Sequence, residues 1–141
     1  MPHYRGTAIE KEIKRMSKEI ISTDKAPAAI GPYVQAVKSH GILFISGQLG
    51  FNMEDGSIPE TVEDQAANSL KNLESIMKAA GTDKSKVLKT TIFLTDMADF
   101  GKVNEVYGAF FEGENPARSC VAVKELPKAA KVEIECMAEA E

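Results

Sequence analysis

Residues 61–95 read TVEDQAANSLKNLESIMKAAGTDKSKVLKTTIFLT, and the change of rhythm inside this stretch decides the fold. Val62, Ala66, Leu70, Leu73 and Met77 recur at helical spacing, so one stripe of a helix over 61–80 is built to face a core. Thr61 and Asp64 can cap its start, and Gly81 is placed to stop it. From Lys86 to Thr95 the period drops to two. Leu88, Thr90, Ile92 and Leu94 fall on one face of a strand, with Val87, Lys89, Thr91 and Phe93 on the other.

Working outward, Val34–Lys38 and Ile42–Gln48 are strand-like and separated by Ser39-His40-Gly41, a hairpin signal. The loops Asp24–Pro32 and Phe51–Pro59 flank them. Downstream, Asp96 with Asp99 opens a second helix carrying Phe100, Val103, Tyr107 and Phe110, ended by Gly113. Arg118–Lys124 and Lys131–Ala138 close the chain as alternating strands. The order β-β-α-β-α-β-β, without repeat or linker, predicts an α+β domain with two helices on one face of a mixed sheet. The other face is partly apolar (Phe93, Val121, Val123), so self-association is expected to cover it.

Residues 7–20 admit two readings. Ile9, Ile13, Met16 and Ile20 are at helical spacing and Thr7 with Glu10 makes a capping box, which suits an added amphipathic helix. Met16-Ser17-Lys18 also resembles a natural start, which makes residues 1–16 an extension without functional role and 17–141 the domain.

The chain has 141 residues, one domain's worth, with 43% hydrophobic and 27% charged residues and a mean hydropathy of −0.20. A chain of this size buries roughly two-thirds of its unfolded surface, so its core needs neither disulfide nor metal. The longest apolar stretch, Gly41 to Ser46, is far short of the roughly 20 residues of a membrane helix. The net charge of −4 is uneven: residues 1–19 carry a surplus of two bases, leaving six net negative charges on the remainder. An acidic body without Trp is a poor partner for a phosphate backbone, so nucleic acid is disfavoured. Cys120 and Cys136 have no metal-like or redox-like spacing and read as small buried hydrophobes on strands. With no apolar leader at the N-terminus, the expected compartment is the cytoplasm.

Two histidines, His3 and His40, stand apart from any second ligand, and no phosphate loop, nucleophile elbow or dinucleotide fingerprint is present. No metal and no cofactor are therefore expected. The informative segment is Pro116-Ala117-Arg118-Ser119-Cys120-Val121-Ala122-Val123. Arg118 enters a strand ahead of an apolar run, where a guanidinium is costly unless a carboxylate takes its planar fork. It reads equally as a surface arginine, an internal salt bridge or a ligand anchor. In Val132-Glu133-Ile134-Glu135, two carboxylates share one strand face, as a solvated edge or as an acid pair.

Together with Ile30-Gly31-Pro32-Tyr33-Val34-Gln35-Ala36 and Ser46-Gly47-Gln48, these residues resemble the RidA family, also called YjgF or endoribonuclease L-PSP. The resemblance runs from about Ser17 to Ala138. It implies a chorismate-mutase-like α+β fold, a homotrimer with sites in the clefts between subunits, and hydrolysis of enamines and imines such as 2-aminoacrylate to 2-keto acids and ammonia. In short, it implies a 2-iminobutanoate/2-iminopropanoate deaminase. Carried over by position, Arg118 holds the substrate carboxylate, Tyr33 lines the pocket and Glu133 positions water. Ser46, Gly47 and Asn104 lie near the ligand, and the Cys120 carbonyl meets the imine nitrogen. Glu135 shares the direction of Glu133, and only the resemblance separates them. Where the family commonly has Ile-Pro after Ser-Gly-Gln, this chain has Leu49-Gly50, which bears on the pocket rim. Two further readings are a non-catalytic trimer sensing a small carboxylate, and the endoribonuclease or translation-initiation inhibitor activity attributed to relatives.

Overall fold

A computed structural model describes residues 6–141. In chain order the elements are α1 (Ala8–Met16), β1 (Glu19–Ile21), β2 (Ala36–Ser39), β3 (Ile42–Leu49), α2 (Val62–Ala79), β4 (Val87–Leu94), α3 (Phe100–Phe111), β5 (Ala117–Ala122) and β6 (Val132–Glu139). The six strands form one mixed sheet in the order β1-β2-β3-β6-β4-β5, with β4 and β5 the parallel pair. Helices α2 and α3 lie side by side on one face, which matches the expected architecture.

Local chemistry sets each element. Thr61 Oγ1 accepts from the Asp64 amide at 3.2 Å, capping α2, and the predicted stripe Val62, Ala66, Leu70, Leu73 and Met77 is buried throughout. At the far end Gly81 takes φ +79°, and the amides of Gly81 and Thr82 turn back onto Lys78 O and Met77 O. This reversal satisfies carbonyls that the helix would otherwise leave open. Between β2 and β3, His40 and Gly41 both have positive φ, 54° and 74°, the two-residue turn whose twist matches a hairpin. The α3 end differs slightly from expectation: Glu112 adopts the left-handed position at φ 51°, one residue before Gly113. At its start, Asp96 caps a short turn over Met97–Asp99, and Asp99 makes no side-chain cap.

Three differences from the sequence reading have physical causes. Glu19–Ile21 is a strand, so Ile20 leaves the helical series that Ile9, Ile13 and Met16 begin. A three-residue edge strand is held by pairing with β2 and carries almost no periodicity of its own. On β4, a bulge between Val87 and Lys89 reverses the phase, so Val87 is buried and Leu88 exposed. The capping box at Thr7 forms, with Thr7 Oγ1 and the Glu10 carboxylate each 3.0 Å from the other residue's amide, so residues 8–16 are a helix, yet none of its residues is buried. His3 lies outside the described residues.

The polar residues of α2 hold the loop after β3. Ser69 Oγ donates to Gln48 O (2.6 Å), Asn72 Nδ2 to Leu49 O (3.3 Å) and Phe51 O (3.1 Å), and Asn68 Nδ2 to Gly50 O (3.2 Å). Four consecutive carbonyls are thus satisfied by helix side chains, at about 1 kcal/mol net each. Gly50 is required here, because a Cβ would lie 2.3 Å from Gln65 O. The departure Leu49-Gly50 is therefore a close approach of the loop to α2.

Candidate active site

Strand alternation and register sort the predicted residues into two groups. On β5, Arg118 stands beside Thr90 of β4, whose hydroxyl is 2.7 Å from the Tyr107 hydroxyl of α3. Arg118 consequently faces the helical layer. Its Nη1 donates to Asn104 Oδ1 at 2.8 Å, and its guanidinium lies 4.9 Å from the Tyr107 ring centroid and 5.4 Å from that of Phe100. Among the described residues no carboxylate lies within ion-pair distance of Arg118. The internal salt bridge is thereby eliminated as an account of this arginine. Cys120, two residues on, shares its face; burial pushes its thiol up and Arg118 opposes the shift. Burial likewise raises Tyr107 despite its bond to Thr90.

The second group lies on the opposite side of the sheet. Val132 and Ile134 are fully buried towards the helices, so Glu133 and Glu135 point to the face that neither α2 nor α3 covers. Strand β3 gains one residue against β6 between Ile45 and Gln48, and Ser46-Gly47 occupy this bulge. The bulge brings Gly47 against Glu133: a Cβ at 47 would lie 2.9 Å from the Glu133 carboxyl carbon. Ser46 is tied down by its hydroxyl donating to Val34 O at 2.6 Å and its amide to Gln35 O at 2.9 Å. A cavity of about 420 Å³ opens here, lined by Ile30, Tyr33, Gly47, Phe51, Lys128 and Glu133, with Tyr33 half-exposed on its wall. Burial, reinforced by Glu135, holds the Glu133 carboxyl above its ordinary value.

The structure therefore brings Arg118, Asn104 and Cys120 together, and separately Tyr33, Ser46, Gly47 and Glu133. It does not bring the two groups together within one chain. Arg118 is level with Thr90 and Glu133 with Phe93, three residues along β4, and their side chains leave the sheet in opposite directions. Phe100 and Tyr107 were read from the sequence as core residues only. Their spacing with Asn104 (i, i+4, i+7) was the available signal that one helix face is turned to Arg118.

The family model described as endoribonuclease L-PSP matches residues 23–140. The chain belongs to the endoribonuclease L-PSP family. Within it, the chain is 52% identical over 124 residues to the chloroplastic Reactive Intermediate Deaminase A of Arabidopsis thaliana, spanning 87% of this chain and 66% of that one. It is 50% identical to the 2-iminobutanoate/2-iminopropanoate deaminase of Mus musculus over 86% of this chain and 90% of that one. Among solved structures, Escherichia coli TdcF with bound serine superposes with a TM-score of 0.83 at 46% identity, over 87% of this chain and 99% of TdcF. Residues 1–22, which contain α1, lie outside the span of the family model. No helix among the described residues is long and apolar enough to cross a membrane.

Proposed function

We propose that the protein hydrolyses small 2-imino acids to 2-keto acids and ammonia, at sites formed where two copies of the chain meet in a homotrimer. The observation that carries this reading is the placement of Arg118. It is braced by Asn104 and two rings, has no acidic partner among the described residues, and faces away from the carboxylate that would do the chemistry. Association through the uncovered sheet face would present the Glu133 half of one copy to the Arg118 half of another. The names of the mouse and plant relatives, and the serine bound to TdcF, support a small amino-acid-derived substrate.

In this mechanism Arg118 grips the substrate carboxylate, with Asn104 fixing the plane of its fork. Tyr33 covers the planar imino acid, the Cys120 carbonyl receives the imine N–H, and Ser46 and Gly47 leave room beside Glu133. The C2 carbon of an imine is already electrophilic, so the protein supplies position and proton transfer. Glu133 takes a proton as the water oxygen bonds to C2 and returns it to nitrogen; it then takes the proton of the new hydroxyl and passes it to the same nitrogen, so that the carbonyl forms as the C–N bond breaks and ammonia leaves. Burial, which raises the pKa of Glu133, makes it a stronger proton acceptor than an ordinary carboxylate. The test is to add the protein to a serine or threonine dehydratase and follow keto-acid release. Acceleration, lost in Arg118→Ala, is expected; full activity in that variant would overturn the reading. Cosedimentation as a trimer would support the assembly, and a monomer would refute it.

A further inference from the structure

Thr90 is a polar residue where the fold has no evident need of one. It is 1% exposed on the helix-facing side of β4, in line with the fully buried Ile92 and Leu94. A buried hydroxyl costs stability unless it is paired, and a valine would fill the same space. The Thr90 hydroxyl has one partner, the Tyr107 hydroxyl at 2.7 Å, and neither makes another hydrogen bond among the described residues. Tyr107 reaches Thr90 from α3 and passes Arg118 on the way. Thr90 and Arg118 are neighbours across the parallel ladder, and the guanidinium lies 4.9 Å from the Tyr107 ring centroid. The hydroxyl pair fixes the long axis of this ring, and Phe111, 4.7 Å away between centroids and tilted by 51°, fixes its plane.

A bidentate grip on a carboxylate needs the guanidinium in one plane as well as in one place. Asn104 Oδ1 accepts from Nη1 of Arg118 at 2.8 Å and settles the place, but a single hydrogen bond leaves the group free to swivel about it. A ring held in a fixed plane removes that freedom, and it attracts the cation without neutralising the charge that a substrate anion requires. Phe100, 5.4 Å from the same guanidinium and 36% exposed, has no polar tip by which it could be anchored. We propose that Thr90 and Tyr107 are positioning residues for the carboxylate grip. Their hydroxyl pair holds the ring against Arg118 and so sets the plane in which the guanidinium meets its ligand. This role rests on Arg118 as the carboxylate anchor of the proposed function.

The test uses 2-oxobutanoate as the carboxylate probe and nitrogen-15 spectra of the full chain. Thr90→Val/Tyr107→Phe removes both hydroxyls together, so no unpaired group is left in the core and the melting temperature is expected to stay near that of the wild type. In the wild type the two Nη groups of Arg118 are expected to give separate signals, because rotation about Nε–Cζ is slow in a held guanidinium. In the double variant they are expected to merge, and the Kd for 2-oxobutanoate to rise about five-fold, the scale of one ordinary hydrogen bond. Thr90→Ser is the converse. It loses a core methyl but keeps the hydroxyl, so it should melt earlier while binding the probe as the wild type does. A double variant with separate Nη signals or unchanged affinity overturns the proposal and leaves the proposed function standing. So does a Thr90→Ser variant as weakened in binding as the double variant. A wild type that does not bind the probe overturns the proposed function, and this role of Thr90 and Tyr107 with it.

Discussion

If Arg118 of one copy and Glu133 of another serve the same substrate, two separately inactive proteins should repair each other. Arg118→Ala removes the carboxylate grip; a hydrogen bond to a charged group is worth about 1.5–3 kcal/mol, or about 10- to 150-fold in kcat/KM. Glu133→Gln keeps the shape of the side chain and removes the proton carrier. Mixed in equal amounts, denatured and refolded together, the chains assort at random. A site is intact only when its arginine comes from the Glu133→Gln chain and its glutamate from the Arg118→Ala chain, so about one quarter of wild-type activity is expected for any closed ring of copies. Any recovered activity must come from sites shared between copies, because no chain in the mixture carries both groups. The assay is keto-acid release in a coupled dehydratase reaction, with native mass spectrometry to verify mixed particles. Mixed particles with no recovered activity would refute the reasoning.

Three other perturbations test the site and its supports. Gly47→Ala places a methyl 2.9 Å from the Glu133 carboxyl carbon, a flexible group that can swing aside, so kcat should fall while the melting temperature changes little. Gly50→Ala instead drives a methyl into the Gln65 backbone, and urea unfolding should show a loss of about 1–3 kcal/mol. Because burial raises the Glu133 pKa, the folded state binds its proton more tightly than the unfolded state does. The group's unfavourable effect on stability is absent well below 4.5 and grows as pH rises through the folded value. Glu133→Gln should therefore raise the melting temperature at neutral pH and leave it unchanged well below 4.5.

Local chemistry was readable wherever it was self-contained. The α2 stripe, the Thr61 cap, Gly81 and the His40-Gly41 turn each act over a few residues, and each is found where the sequence puts it. What escaped depends on distant partners. Ile20 continues the spacing of a helix but is captured by pairing with Val37, and the bulge that exposes Leu88 arises from its match to β6. For the site, spacing alone left Arg118 and Glu133 ambiguous, and the family resemblance chose their roles. That the two diverge was beyond reach, because it follows from the registers in which β5 and β6 pair with β4 on either side. Such pairing joins segments far apart in the chain.

The run of carbonyls from Gln48 to Phe51, clamped by Ser69, Asn72 and Asn68, has a bearing on selectivity. The last residues of β3 and the loop that follows inherit the stiffness of the helix beneath them. Phe51 on the cavity wall is accordingly a fixed boundary, not a flap that folds over its guest. Under the proposed function, discrimination among imino acids at that wall is a matter of size, and lengthening the acyl tail should meet a sharp cut-off in place of a gradual decline.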